Sequence, residues 1–177
     1  MNRCSSLVRE KLSDLVRQWQ VDGTPSKYAF EFITSDLFEW KEANSISSGL
    51  WPTPPTMITA TLDDFVGQGI ETIEFFAKFA GMEVTSLGVM QPVETIVEEC
   101  TERRPTLLGL TVLRTFVFED LIYIGQNIPS STLLIVGGGP CLQSEPEIAT
   151  QANLHLVAKD VKDFIEFMLN FQPTKFQ

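Results

Sequence analysis

The sequence predicts an α/β fold, a doubly wound sheet of five parallel strands preceded by a short N-terminal helical extension. From residue 57 onward, short apolar runs alternate with segments of helical periodicity. The five runs begin at residues 57, 83, 107, 132 and 154. This regular spacing is typical of successive β-α units, because a parallel strand needs a crossover connection before the next strand can join the sheet. The third and fourth runs are nearly all apolar, as expected for strands covered on both faces.

The first two elements are predicted to be amphipathic helices. Apolar residues recur at helical spacing from Leu7 to Trp19, and Gly23 is expected to end the first helix. The second helix is expected to begin with Thr24 as N-cap and Pro25 in its first turn. It should end near residue 44. Its predicted buried stripe is rich in aromatic residues and consists of Tyr28, Ala29, Phe32, Ile33, Leu37 and Trp40.

A change of pattern divides the chain into three parts. Residues 1–44 form the N-terminal helical segment, residues 45–56 a Pro/Ser-rich linker, and residues 57–177 the α/β domain. The predicted strands cover residues 57–61, 83–87, 107–112, 132–136 and 154–157. The predicted helices of the α/β domain cover residues 67–80, 93–103, 117–126, 142–151 and 160–171.

The composition indicates a folded, acidic protein. Hydrophobic residues make up 44% of the 177 residues, enough to bury a sizeable core. Acidic residues outnumber basic ones by 23 to 13, and the resulting net charge of −10 repels phosphate backbones and anionic lipids. We therefore expect no nucleic-acid partner and no membrane partner. The polar opening of the chain lacks the pattern of a secretory signal, which predicts a cytoplasmic location.

Cysteine and histidine are too few and too scattered for a disulfide scaffold or a zinc site. The cysteines are Cys4, Cys100 and Cys141, and the single histidine, His155, lies in or beside the predicted fifth strand. Cys141 is predicted at a helix N-terminus, where the helix dipole favours a reactive thiolate. No base stands near it in the sequence, which favours a packing role. A structural role is likewise favoured over metal binding for His155.

A ligand site is expected at the loops that follow strands one, three and four. In doubly wound sheets, ligands bind outside the carboxyl ends of the strands, near the point where the strand order reverses. The loop after strand four contains Gly137, Gly138 and Gly139, which allow a close approach of the backbone to a ligand. A tight turn explains a glycine cluster equally well. The glycines alone therefore decide nothing.

Two families with this topology are disfavoured by the loop residues. A response-regulator receiver would use Asp63, Asp64 and Lys159, but its acceptor aspartate should end strand three, where this chain has Thr111 and Val112. A flavodoxin proper would need a phosphate cradle after strand one. Two carboxylates occupy that loop instead, and they repel phosphate.

The remaining pattern resembles the cobalamin-binding domain of corrinoid proteins and B12-dependent mutases. The resemblance spans about residues 57–169 and rests on four motifs. These are Gly67-x-Gly69-Ile70 opening a helix, Ala80-Gly81-Met82-Glu83-Val84 with Leu87-Gly88-Val89, Gly109-Leu110-Thr111-x-Leu113, and Val136-Gly137-Gly138-Gly139-Pro140. It implies a flavodoxin-like fold and a cobalamin cofactor.

The resemblance also implies a set of cofactor-binding residues and one important departure. Thr111 and Leu113 would flank the nucleotide tail of the cofactor, and Gly137, Gly138 and Gly139 would let that tail pass between the strands. The family's Asp-x-His-x-x-Gly motif supplies a histidine to cobalt. In this chain Gly67 matches the motif glycine, but Asp64 stands at the histidine position. The cobalt ligand is therefore missing, and Asp64 is left either to hydrogen-bond the corrinoid or to lie in solvent.

These observations lead to two functional hypotheses. The first is a non-catalytic carrier or sensor of a corrinoid, or of another tetrapyrrole such as haem, that lacks the histidine ligand. The aromatic residues Tyr28, Phe32, Trp40 and Trp51 would then cover the tetrapyrrole. The second is a degenerate domain without a cofactor that acts as a protein-protein interaction module. Its partner would be another protein or a second copy, bound through the N-terminal helices.

Overall fold

The computed structural model describes residues 3–62, 68–112, 117–137, 142 and 144–173. Two helices, α1 (Arg3–Asp22) and α2 (Lys27–Ala43), precede the sheet. The strands are β1 (Thr56–Thr61), β2 (Glu83–Gly88), β3 (Leu107–Thr111), β4 (Leu133–Gly137) and β5 (Leu156–Ala158). The helices between and after them are α3 (Gln68–Ala80), α4 (Val93–Arg103), α5 (Phe118–Asn127), α6 (Pro146–Gln151) and α7 (Val161–Asn170).

The five strands form one parallel sheet in the order β2-β1-β3-β4-β5. This is the doubly wound arrangement that the spacing of the apolar runs predicts, and the predicted fold class is confirmed. The central strands β3 and β4 carry almost only buried residues. Their nearly unbroken apolar sequences follow from this burial on both faces.

Two hydrophobic clusters cover the two faces of the sheet. On one face, Met57 and Leu107 pack beneath α3 and α7, and α1 and α2 lie outside these two helices. On the other face, Ile58 and Leu108 pack beneath α4 and α5. The alternation arises because successive side chains of a strand point to opposite faces.

The start of α2 differs from the sequence prediction. The helix begins at Lys27 with Ser26 as N-cap, so Thr24 is not its cap and Pro25 is not in its first turn. Thr24 Oγ1 instead donates a hydrogen bond of 3.1 Å to Asp160 Oδ2 in the turn before α7. The local pattern predicts the Thr24 side chain as a helix cap, but it forms a long-range hydrogen bond with Asp160 instead.

The predicted stripe of α2 is correct in part, because Leu37 is buried and Ile33 and Trp40 pack against the core. Tyr28 and Phe32 are 73% and 74% exposed. The inward face carries Phe30 and Leu37, and the Phe30 ring meets the Trp19 ring edge-on at 5.6 Å between centroids. Because α2 has aromatic residues on both faces, its packing against α1 and α3 decides which face is buried.

The segment between α2 and β1 has no helix or strand, but it packs tightly. Ile46, Leu50 and Trp51 are buried. Leu50 accepts a hydrogen bond from Ser5 Oγ at 2.9 Å through its carbonyl oxygen, and its N–H donates to the Ala80 carbonyl oxygen at 2.7 Å. Through these contacts the segment joins α1 to the C-terminal end of α3.

Helix α6 covers only the second part of the helix predicted over residues 142–151, because it begins at Pro146, a residue favoured in the first turn.

Within the described ranges, none of the helices has the length and apolar character that crossing a bilayer requires.

Candidate functional site

A cleft opens at the carboxyl ends of β1 and β3, where the strand order reverses. Strand β1 is followed along the chain by β2 on one side, whereas β3 and β4 continue on the other, and this divergence leaves a crevice. The cleft is narrow, with a volume of about 10 Å³, which is room for about one water molecule. Its walls come from four strands and α3, and consist of Met57, Thr59, Ile70, Ile73, Gly109, Leu110, Thr111, Ile135, Gly137 and Ala158.

The structure brings two of the sequence-predicted site residues together in this cleft. Thr111 and Gly137 are register partners at the ends of β3 and β4. The N–H of Val112 donates a hydrogen bond of 2.9 Å to the Gly137 carbonyl oxygen, which holds the two strand ends together. The other predicted residues, Asp64, Gly67, Leu113, Gly138 and Gly139, lie outside the described residues, as does Cys141.

Threonine hydroxyls that sequence reasoning missed lie beside Thr111. Thr61 is its register partner on β1, and Thr59 stands two residues earlier on the same face of the sheet. Both threonines are fully buried. Thr59 Oγ1 donates to Glu74 Oε1 at 2.6 Å, whereas Thr61 Oγ1 has no hydrogen-bond partner in the described part of the chain. A buried hydroxyl without a partner is costly, but Thr61 is not among the residues that line the cleft.

Two glycines of the cleft have very different surroundings. Among the described residues, a Cβ built on Gly137 would meet no atom closer than the Leu110 carbonyl oxygen at 4.0 Å. A Cβ on Gly109 would overlap with the terminal methyl group of Met57. The Met57 side chain therefore lies directly over Gly109. The alternation of side chains along β1 and β3 is enough to place Met57 and Gly109 on this face of the sheet. It does not predict the contact between the two residues.

His155 lies far from this edge of the sheet. Its backbone N–H donates a hydrogen bond of 2.8 Å to the Leu134 carbonyl oxygen, and its ring atom Nδ1 accepts one of 3.1 Å from the Leu134 backbone N–H. Leu134 stands near the amino end of β4, whereas Gly137 ends that strand. Partial burial lowers the pKa of His155, which favours the neutral ring that this second bond requires. The histidine thus has a structural role, because its ring accepts a hydrogen bond from the backbone of β4.

The aromatic residues proposed to cover a tetrapyrrole do not converge on the cleft. Trp51 Nε1 donates to the Phe171 carbonyl oxygen at 3.0 Å, just past the end of α7. The Trp40 ring packs on Phe79 near the end of α3. Both helix ends lie at the amino edge of the sheet, opposite the cleft, because each helix runs antiparallel to the strands.

Neither a nucleophile nor a metal centre emerges from the described residues. Burial, followed by the charge of Glu99, raises the pKa of the Cys100 thiol to about 12. A thiol with this pKa is inert at neutral pH. No three His, Cys, Asp or Glu side chains of the described ranges are grouped so that they could hold a metal ion.

Comparison with known proteins shows which fold this is. A cobalamin-binding protein from Desulfitobacterium hafniense DCB-2 superimposes with a TM-score of 0.70, 15% sequence identity, and coverage of 94% of this chain and 80% of that chain. This is the fold of a known cobalamin-binding protein. No protein-family model and no curated protein sequence matches the chain.

Two further solved structures have the same architecture. The methanol:cobalamin methyltransferase complex MtaBC of Methanosarcina barkeri matches with a TM-score of 0.62 and 16% identity, over 98% of this chain and 71% of that chain. The monomethylamine corrinoid protein of Methanosarcina barkeri matches with the same score and identity, over 90% and 77%. Because the α/β part is about two thirds of the chain, these superpositions extend into the N-terminal helices.

The walls of the cleft are mainly aliphatic, and Thr59 and Thr111 are their polar groups. Apolar walls combined with a few polar groups that fix orientation are typical of small-molecule recognition.

Proposed function

We propose that this chain is a cytoplasmic, non-catalytic corrinoid-binding protein, a carrier or sensor that holds the cofactor without a histidine ligand to cobalt. The observation that carries the proposal is the cleft at the β1/β3 switch point, with Thr111 and Gly137 as neighbours at its rim. The fold shared with cobalamin-binding proteins supports the corrinoid as ligand.

The residues have separate roles in this proposal. Thr111 and Leu113 flank the side chain that descends from the corrin ring, and Gly137, Gly138 and Gly139 leave room for it between the strands. The proposal also assigns Asp64 and Gly67 to the binding of the cofactor. A bound corrinoid would supply a cobalt ion that can carry an exchangeable group.

Two observations support the proposal that cobalt receives no histidine from the protein. Asp64 stands where related motifs have histidine, and the single histidine of the chain, His155, caps the opposite end of the sheet. A protein of this kind binds the corrinoid through its ring and side chains alone. Binding then reports the presence of the cofactor instead of activating it.

The decisive experiment is ligand retention. The purified protein is incubated separately with hydroxocobalamin, cobinamide and haem, passed through a gel-filtration column, and its absorption spectrum is recorded. We expect a corrinoid to co-elute at close to one per chain. Haem alone would replace the corrinoid proposal with a haem sensor, and a colourless protein in all three trials would contradict any tetrapyrrole function.

Three variants connect this result to the cleft. Gly137→Phe places a large ring among the cleft residues, and we expect it to abolish retention. Gly137→Ala is its matched control, because a Cβ fits there without contact, and it should retain most binding. His155→Gln should leave the cobalt spectrum unchanged. A changed spectrum would show that His155 does bind cobalt.

A second function, protein-protein interaction through the N-terminal helices, is favoured by the outward face of α2. Tyr28, Phe32 and Phe38 are all more than 60% exposed, and large exposed aromatic residues on one helix are typical of binding surfaces. The related MtaBC structure is itself a complex. In this proposal α2 either receives a partner protein or forms a homodimer.

Sedimentation velocity separates these two forms of interaction. If α2 forms a homodimer, the wild-type protein should dimerise with increasing concentration, and Tyr28→Ser/Phe32→Ser should remain monomeric. A wild-type monomer at all concentrations would exclude the homodimer and leave a different protein as the partner. Both substitutions are at exposed positions, so the variant should fold normally.

A further inference from the structure

The outward face of α2 has a stripe of exposed residues that runs along the helix. Its five members follow one another at intervals of four, three, four and three residues. They are Tyr28, Phe32, Ser35, Glu39 and Glu42, and all of them are exposed. Residues at this spacing lie along one face of a helix, and paired helices contact each other along such a line. The stripe therefore has the geometry of a surface on which a second helix packs.

The first half of this stripe is apolar and the second half is acidic. The rings of Tyr28 and Phe32 are 73% and 74% exposed. Glu39 and Glu42 lie two turns further along the helix and are exposed as well. A helix that covers the whole stripe must therefore bury two aromatic rings and satisfy two carboxylates.

The lysines nearest to this stripe point away from it. Lys41 is partly buried, and its Nζ lies 5.0 Å from the centre of the Phe79 ring on α3. The Nζ of Lys11 on α1 lies 5.5 Å from the centre of the Trp40 ring. These cation–π contacts hold both positive charges on the inner side of α2. Within the described ranges, none of the ion pairs includes a carboxylate of α2, so the outward face keeps its negative charge.

A second copy of the chain does not complement the stripe in either direction. If two copies of α2 packed antiparallel, the aromatic half of each would cover the acidic half of the other, and the carboxylates would lose water without gaining a cation. If they packed parallel, the two acidic halves would face and repel each other. The net charge of −10 on each copy adds to this repulsion.

We propose, on the basis of the interaction function of α2 described above, that its partner is an amphipathic helix of a different protein, apolar in one half of its contact stripe and basic in the other. The apolar half packs on Tyr28 and Phe32, and lysine or arginine side chains pair with Glu39 and Glu42. Burial of the two rings provides most of the affinity. The carboxylates determine which partners are accepted, because like charges at the same positions are repelled.

The test uses synthetic helical peptides as probes. Each peptide has a stripe of the same spacing, with leucine in one half and lysine, glutamine or glutamate in the other. Both orders of the two halves are made, because a helix can pair with α2 in either direction. Binding to the full-length protein is measured by fluorescence anisotropy. We expect the lysine peptide to bind about tenfold more tightly than the glutamate peptide, with the glutamine peptide between them, since each exposed charge pair has a small effect.

Two pairs of charge substitutions separate the stripe from the acidity of the whole protein. Glu39→Gln/Glu42→Gln should remove the preference for the lysine peptide. Glu98→Gln/Glu102→Gln removes the same charge from exposed positions of α4 and should leave the preference intact. Raised salt should reduce the preference in the wild-type protein, because exposed ion pairs are screened.

The aromatic half has its own variant. Tyr28→Ser/Phe32→Ser should abolish binding of all three peptides, because it removes the apolar contact. Both positions are exposed, so the variant should fold normally, and its circular dichroism spectrum checks this. Binding that survives in this folded variant would place the peptides elsewhere on the protein and overturn the inference.

The remaining outcomes distinguish this inference from the interaction function on which it rests. Equal binding of the three peptides, or a wild-type homodimer that is lost in Tyr28→Ser/Phe32→Ser, would overturn the inference and leave α2 as an interaction surface. If none of the peptides binds and the wild-type protein remains monomeric, α2 is not a helix-binding surface and both proposals are wrong. The corrinoid proposal is tested separately by ligand retention.

Discussion

The Thr59 hydroxyl donates a hydrogen bond of 2.6 Å to Glu74 Oε1, and this bond joins β1 to α3 behind the cleft. Thr59 is fully buried, and the Glu74 side chain is only 15% exposed. The other Glu74 oxygen lies 3.7 Å from Lys78 Nζ. The carboxyl group therefore depends mainly on Thr59 for a buried partner.

We expect Thr59→Val to lower the free energy of unfolding by about 1–3 kcal/mol, because Glu74 loses its buried donor. Lys78→Ala is the control. Its ammonium group is largely exposed, so its loss should change the free energy by less than about 1 kcal/mol. Urea denaturation measures both values, and equal effects of the two substitutions would contradict the assignment of the stabilisation to Thr59.

A second prediction concerns Gly49, which lies against the end of α3. A Cβ on Gly49 would overlap with the Ala80 carbonyl oxygen and the Gly81 Cα, and backbone atoms cannot move aside as a side chain can. Gly49→Ala should lower the free energy of unfolding by about 2–3 kcal/mol. It should also weaken the attachment of the segment between α2 and β1.

Gly69→Ala is the matched control for Gly49. Its Cβ would lie 3.5 Å from Thr111 Cγ2, an ordinary contact, in the first turn of a helix. We expect a change of about 1 kcal/mol or less, toward greater stability. Thermal unfolding of the two variants, followed by circular dichroism, compares them directly. A stable Gly49→Ala protein would mean that the segment can leave α3 at little cost.

The pH dependence of stability should include a contribution from His155. Partial burial lowers its pKa below the ordinary 6.5, so the unfolded chain takes up this proton at a higher pH than the folded chain. Stability is therefore complete above pH 6.5 and declines as the pH falls from there through the folded value. Protonation also removes the bond that Nδ1 accepts from Leu134.

The measurement is urea denaturation at a series of pH values, for the wild-type protein and His155→Gln. We expect the wild-type curve to fall below pH 6.5 and the variant curve to be flatter over the same interval. Carboxyl groups titrate at lower pH and affect both proteins alike. Parallel curves throughout would show that His155 does not contribute.

The fourth prediction concerns the reactivity of Cys100. Burial, with a smaller effect of Glu99, raises the pKa of its thiol to about 12, so the thiolate is scarce at neutral pH and the sulfur is inaccessible. Iodoacetamide should leave Cys100 unmodified in the native protein and modify it in urea. Peptide mass spectrometry locates the label, and rapid native labelling of Cys100 would mean that α4 opens readily.

Local pattern was sufficient for much of the fold. The positions of β3 and β4 follow from apolar runs too short for helices, and the end of α1 follows from Gly23, whose φ is +83°. Spacing alone also indicated the parallel sheet and hence the edge at which a ligand site should lie. The resemblance to cobalamin-binding domains adds Thr111 and Gly137 as predicted cofactor-binding residues, and each of them ends a strand at that edge.

The failures of sequence reasoning share one physical cause. Thr24 has the side chain of an N-cap, but Asp160 lies close in space and accepts its hydrogen bond. Tyr28 and Phe32 share helical spacing with Leu37, but the surfaces of α1 and α3 bury Leu37 with Phe30 and leave Tyr28 and Phe32 exposed. In each case the partner is distant in sequence, and a local pattern contains no information about it.

The sequence by itself determined the order and type of the elements, the parallel sheet and the edge that carries the cleft, because these depend on periodicity and strand spacing. Only the tertiary structure decided which side chains meet at the cleft, beside it and at the far end of β4. The methyl group of Met57 lies over Gly109, the Thr61 hydroxyl is left without a partner in the described residues, and His155 caps the far end of β4. These relations depend on register between strands and on side-chain packing, which arise only when the strands are assembled.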